Sequence, residues 1–318
     1  TRIKPSNWNA DHVGGTGRAA AVIVAASNSP ADVIAQADYV CDGLADDVTI
    51  QAALTAAGLS TVWCGPGDWS FTGTVSLGTE GASSTTRTQS LIFDPGARVF
   101  AAANVDLFHV HDFGLLQGPM LHTLNVAGYS SVALKVLGQG SRYSDIRIEG
   151  DYTATPPTGT GIQLDSAARL VAYNHFDRIS VRGYAYGVRV TANNANADKG
   201  IWENKFRHLQ GFMCPNFIYE EILSVADIHG NNYEGSYQAW NEAAKDTAPV
   251  LRIAGNREIL KVQPYDFGGA GVVVNLVAGA NRNWVELLGG VADGGYTDSG
   301  SYNVIWAPGL GQLNMLTT

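Results

Sequence analysis

The chain has 318 residues, 45% of them hydrophobic and only 15% charged, a balance that argues against disorder and allows one large domain or two ordinary ones. Its 20 basic and 29 acidic side chains give a formal net charge of −9, and no run of Lys or Arg occurs, so a nucleic-acid partner is not expected. No stretch approaches 18 uninterrupted apolar residues, so no membrane span is expected either.

In chain order, residues 1–18 read as a lead-in rich in Gly, Asn and Thr; the chain opens on Thr1 rather than Met, so trimming or processing is expected. The apolar run 19–26 lacks a basic leader and reads as a buried strand at 22–26 rather than a secretion signal. A short helix is expected at 30–37, with Pro30 near its first turn, and a strand at 37–40. Asp46 or Asp47 then offers an N-cap for a helix over 48–57, whose Ile50, Ala53, Leu54 and Ala57 share one face and whose end is marked by Gly58. Strands follow at 61–64, 69–77, 90–94, 99–101, 107–111, 120–126, 133–136, 144–149, 161–164, 178–182 and 187–191, separated by turn signals such as Pro95-Gly96. The segments 79–88 and 192–200 read as polar loops projecting from a shaft. Strand signals at 259–262, 271–277, 284–288 and 302–306 either continue the same architecture or build a separate terminal sheet.

The strongest pattern is a repeat about thirty residues long. Tyr143, Phe176, Phe206 and Tyr233 form one column, at intervals of 33, 30 and 27 residues. Ile146, Ile179 and Leu209 form a second, and Asn174, Asn204 and Asn231 a third. A short β-like repeat of imperfect spacing predicts stacked coils, and like residues falling on like favours aromatic piles and asparagine ladders. Phe176 and Ile179 lie three apart, so a bulge between them is needed if both point inward. Outward positions carry Asp177, Arg207 and Glu234 in one column and Glu149 and Arg182 in another, which predicts ion pairs between neighbouring coils. The fold class is therefore all-β, a single-stranded parallel β-helix.

The string Ala37-Asp-Tyr-Val-Cys-Asp-Gly-Leu-Ala-Asp-Asp47, then Ile50-Gln-Ala-Ala53, then Thr61-Val-Trp-Cys-Gly-Pro-Gly-Asp-Trp69 resembles the N-terminal cap of pectin-lyase-fold proteins. It is most similar to the right-handed β-helix structural and tail-spike proteins of bacteriophages and prophages. The stretch 5–12 likewise resembles the start of phage tail-fibre modules. The match covers about 55 residues, departs at Trp63-Cys64, and carries no catalytic residue. It implies a right-handed winding, a capping helix at 48–57, a homotrimer, other virion tail proteins as partners, and a virion or extracellular location. The organisation expected is a lead-in and first strand at 1–36, a cap and first coil at 37–78, a shaft at 79–254, and terminal coils or a terminal β domain at 255–318.

Cleavage of a glycan on such a shaft needs carboxylates beside the scissile bond. Glu203, Asp165 and Asp177 are the catalytic candidates, with ion pairing the competing role for Asp177. Flat aromatic faces stack on sugars, and Trp202, Tyr184, Tyr186 and Trp240 are the candidate glycan-binding residues, with packing between subunits as the alternative. The wide spacing of Cys41, Cys64 and Cys214 suits no metal site, though Cys41 and Cys64 could pair. His109 and His111 share a strand face but lack an evident third ligand, so no metal and no cofactor is expected. The leading expectation is a virion protein that binds host-surface polysaccharide and cleaves or merely holds it. A lone polysaccharide lyase or glycoside hydrolase, and a purely structural virion or surface component, are the alternatives.

Overall fold

The computed structural model describes residues 22–81, 89–123, 130–150, 157–238, 250–265, 272–288, 295–307 and 312–316. The lead-in with its 5–12 resemblance, most of the 79–88 loop and Trp240 lie outside them. The described strands form sheets of 16, 9 and 3 strands, here called sheets 1, 2 and 3. One coil shows the path. His175–Arg182 lies in sheet 1, Tyr186–Ala192 in sheet 2 and Ile201–Trp202 in sheet 3, after which Lys205–Phe212 pairs in parallel beside His175–Arg182. The molecule is a parallel β-solenoid.

Its interior follows from alternation along each strand. Val62, Leu91, Leu116, Tyr143, Phe176, Phe206, Tyr233, Leu260, Val285 and Ile305 are partners in unbroken succession, and all are buried. Within that column the expected aromatic pile is present. Tyr143 and Phe176 stack at 4.4 Å, Phe176 and Phe206 at 4.1 Å, and Phe206 and Tyr233 at 5.0 Å, with interplanar angles of 10°, 4° and 19°. The bulge required between the first two columns is also present. Asp145, Arg178 and His208 take left-handed φ values of 59°, 54° and 52°, so one extra residue turns outward and both flanking side chains turn in.

The asparagine column is a hydrogen-bonded ladder. Ser141 N–H donates to Asn174 Oδ1 at 2.9 Å, Asn174 N–H to Asn204 Oδ1 at 3.1 Å, and Asn204 N–H to Asn231 Oδ1 at 2.9 Å. Each amide nitrogen also donates to the preceding coil's backbone, as Asn174 Nδ2 does to Gly138 O at 2.9 Å. The ladder thereby satisfies backbone groups that a tight corner would otherwise bury unpaired. It runs further than the sequence repeat suggested, through Glu258 to Asn283 and Asn303.

The terminal segment continues the coils. Ile259–Tyr265, Trp284–Leu287 and Asn303–Ala307 extend sheet 1, and Val272–Leu276 and Gly295–Asp298 extend sheet 2. Gln312–Leu316 then pairs antiparallel with Asn303–Ala307.

Among the described residues two helices precede the shaft, α1 (Ala31–Ile34) and α2 (Asp46–Ala57). Helix α2 buries Ile50, Ala53 and Leu54 in the core, packs against the first strands, and ends at Gly58 with φ 59°. The N-cap expectation needs correction: Ala45 occupies that position, and Asp46 and Asp47 lie in the first turn. Both carboxylates are buried because they serve the neighbouring strand. Asp46 accepts from Gly43 N–H at 2.9 Å and Ser70 N–H at 2.8 Å, and Asp47 from Thr72 N–H at 2.9 Å. Cys41 and Cys64 do not pair; all three cysteines are free and buried. Burial pushes their thiols up, to about 12 for Cys41 and about 11 for Cys214.

Candidate functional site: a groove along one corner of the shaft

The residue before each ladder position is left-handed. Tyr173, Glu203, Gly230, Arg257, Arg282 and Tyr302 have φ of 58°, 52°, 70°, 60°, 60° and 59°. This conformation is unfavourable for residues other than glycine and persists where the surrounding structure dictates it. Here the stack dictates it: the chain must swing from sheet 3 into sheet 1 while the next side chain turns in to the ladder. The left-handed residue is thereby aimed outward, and such residues form a column along the corner.

Beside that column a groove of about 580 Å³ runs across the terminal coils. Arg257, Arg282 and Tyr302 form one side, and Asp227 and His229 lie at its upstream end. Its floor is a second polar ladder, in which Asn281 N–H donates to Asn256 Oδ1 and Ser301 N–H to Asn281 Oδ1, each at 2.9 Å. Sheet 3 ends there in a fixed cluster. Trp202 stacks on His229 with centroids 4.9 Å apart and planes 22° apart. Asp227 holds both rings, accepting from Trp202 Nε1 at 2.6 Å through Oδ1 and meeting His229 Nδ1 at 2.9 Å through Oδ2. Glu203 is exposed on the coil above Gly230, where a Cβ would come within 3.2 Å of the Glu203 Cγ.

A second groove, of about 500 Å³, crosses the outer face of sheet 1 past Arg147, Glu149, Arg182, Gln210 and Phe212. There the Arg182 guanidinium lies 4.7 Å from the centre of the Phe212 ring, Glu149 stands in register with Arg182 as expected, and Arg147 pairs with Glu149 on its own strand.

Of the sequence candidates, Trp202 and Glu203 come together at the corner, and the other described ones lie elsewhere. Asp165 ends a sheet 2 strand, 3.3 Å from Lys135 Nζ, and accepts from Ala167 N–H at 2.9 Å. Asp177 lies on the outer face of sheet 1. It stands in register with Arg207 as expected, but its ion-pair partners are Arg178 and His208, the latter at 2.9 Å. The bulge explains the exchange, since it turns Arg178 and His208 onto the carboxylate. It also shifts the register beyond Phe206, so that Leu209 faces Gly235 and the three-charge column with Glu234 is interrupted. Arg178 also binds Asp145, and that hydrogen bond holds the Asp145 carboxyl below its usual range.

Tyr184 is not a surface residue. It is fully buried, with its hydroxyl 2.6 Å from Thr123 Oγ1 and donating to Glu149 O at 3.2 Å, because the turn after sheet 1 folds its ring inward. Tyr186 is half-buried on the sheet 2 face, edge-on to Tyr219 at 5.0 Å with Arg189 over its ring. His109 is tied to Asp106 at 2.8 Å, and among the described residues no group of three or more His, Cys, Asp or Glu could hold a metal ion. Arg257, Arg282, Tyr302 and the exposed Trp284 escaped the sequence reading. For the three corner residues, the signal available was the residue three before each inward aliphatic of the last coils, a register that becomes readable only once the ladder is followed past Glu258.

No protein-family model matches the chain, and no curated protein matches it. A solved structure from Geobacillus virus E2, ORF18, is similar over 83% of this chain and 58% of that one, with 11% sequence identity and a TM-score of 0.40. This chain thus spans less than two thirds of that protein. A likeness so remote carries no argument, and the solenoid class rests on the strand pairing itself. No described helix is long and apolar enough to cross a membrane.

Proposed function

We propose that the chain is the shaft of a phage or prophage tail-spike-like virion protein that binds a host-surface polysaccharide along the corner groove. In this reading the coils wind right-handedly, α2 plugs their front end, and the shaft works as a homotrimer beside other virion tail proteins. The observation that carries the binding role is the groove itself: a column of outward-aimed corner residues, floored by a rigid amide ladder and ended by Asp227 and His229, on which Trp202 stacks. Rigid polar groups beside a flat ring are what a sugar chain requires, since ordering them on binding loses little entropy.

The test is a glycan array probed with the wild-type chain and with Trp202→Ala. Binding that falls at least about tenfold in the variant supports the reading; absence of binding to every glycan favours a purely structural component. A second reading, cleavage, is favoured by Glu203, an exposed carboxylate next to the stacked rings. It predicts release of reducing ends or unsaturated sugars that stops in Glu203→Gln, whereas Asp165→Asn and Asp177→Asn, whose carboxylates are held in ion pairs, retain it.

A further inference from the structure

We infer that the corner groove is selective for an acidic polysaccharide carrying one carboxylate on successive sugar units, held by Arg257 and Arg282. The inference rests on the glycan-binding reading and specifies its ligand. Arg257 and Arg282 occupy equivalent corners on adjacent coils, both left-handed, both exposed and both lining the groove. Neither has a carboxylate within ion-pair distance among the described residues. The groove's own acid, Asp227, already has both oxygens engaged by Trp202 and His229.

Two like charges stacked at one coil repeat, about 4.8 Å along the shaft, repel each other unless an anion lies between or beside them. That repeat is close to the length of one pyranose unit, so a polymer with a charge on each unit, twisted so that successive carboxylates face the same side, can present one to each guanidinium. Guanidinium forks suit carboxylates in bidentate geometry. The aromatic groups decide between a sugar and a bare polyanion. Tyr302 lines the groove at the next corner and is 63% exposed, and Trp284, which opens the sheet 1 strand two residues beyond Arg282, is 42% exposed. Both offer flat faces for a pyranose ring and nothing for a phosphate chain. The overall charge of −9 opposes long-range capture, so the attraction is local and weakens with salt.

The experiment compares a β-1,4-linked mannuronate hexamer, the matching β-1,4-linked mannose hexamer and inorganic polyphosphate, by titration calorimetry at low and physiological salt. The proteins are the full chain and its Arg257→Gln/Arg282→Gln variant. The expected result is that the wild type prefers mannuronate, that salt weakens this binding, and that the double variant loses at least about tenfold for mannuronate only. An unchanged melting temperature shows that the exposed substitutions leave the fold intact. Equal mannuronate affinity in the two proteins overturns the inference, as does polyphosphate binding as tight as mannuronate. Binding of the mannose hexamer alone overturns it while leaving the glycan-binding reading standing. Failure of all three probes, together with an empty glycan array, removes both.

Discussion

The coils within 142–238 and those within 250–307 share one ladder but are built differently. Successive ladder positions are 33, 30 and 27 residues apart in the first region and 25 and 20 in the last. The early coils carry a left-handed residue inside each sheet 1 strand as well as one at each corner, and they stack aromatic rings inside. The bulge is gone by Asn232–Gln238, whose Tyr233 ends the ring pile, and the later coils fill the same column with Leu260, Val285 and Ile305. The interior therefore fixes only the column and the ladder. Chain length per turn is set outside them, by the in-strand bulge and by loops such as 193–200. Where those are trimmed away, the corner stands open as a groove.

The difference can be broken most directly from within. Phe206→Ala removes a ring stacked on both sides, at 4.1 and 5.0 Å, and is expected to destabilise by about 3–5 kcal/mol. Leu260→Ala, two coils on in the same column, is expected to lose about 1 kcal/mol less, the increment that ring pairs add beyond buried area. Urea denaturation of both variants decides it, and equal losses would show that the pile contributes nothing beyond apolar burial. Next in size is Asn204→Ala. It takes the acceptor from Asn174 N–H and from Asn174 Nδ2, leaving buried donors unpaired at a cost of about 1–3 kcal/mol. Amide exchange is expected to speed up at Asn174 and to stay slow at Asn283, which donates to Asn303.

The columns were legible in the sequence because stacking places like on like: aromatics, branched aliphatics and asparagines recurred where one coil met the next. Helix α2 was legible from its apolar face and Gly58. The corner was not legible, because its occupants, Tyr173, Glu203, Gly230, Arg257, Arg282 and Tyr302, share a conformation and no chemistry. The two-residue strands of sheet 3 are too short for any periodicity to declare them. Tyr184 misled for a related reason: it follows Gly183 in a turn, and turns ordinarily face water, but this one folds a ring under the next strand. Asn283 and Asn303 were overlooked because Glu258 interrupts the run of asparagines.

That interruption separates the two regions chemically and gives the next prediction. Glu258 is fully buried in the ladder, and burial together with the nearby Glu220 raises its carboxyl well above 4.5. Glu220, buried against Tyr233 OH and the Ala254 and Gly255 N–H groups, is raised to about 6. A carboxyl raised in the folded state favours folding while protonated in both states. That contribution is lost as pH rises above the unfolded value of about 4.5, until the folded value is passed. For Glu220 the loss falls between about 4.5 and 6; for Glu258 it extends higher. Glu258→Gln keeps the shape of the protonated acid without the ionisation. It is expected to match the wild type at pH 4.5 and to melt several degrees higher at pH 8. A wild-type melting temperature that is flat over that range would mean that Glu258 ionises without penalty.

The smallest effect tests the bulge itself. His208 is left-handed at φ 52° and meets Asp177 at 2.9 Å on an exposed face. His208→Gly relieves about 1 kcal/mol of left-handed strain. Against this stand the lost surface pair, worth at most about 1 kcal/mol, and the larger entropy of glycine in the unfolded chain, about 0.5–1 kcal/mol. The three largely offset one another, so stability is expected to stay within about 1 kcal/mol of the wild type. His208→Val, with a branched side chain that tolerates left-handed backbone poorly, is expected to be clearly worse than glycine. If valine and glycine proved equal in urea denaturation, the strand would have shed its extra outward residue, and the contrast between early and late coils would reduce to their side chains alone.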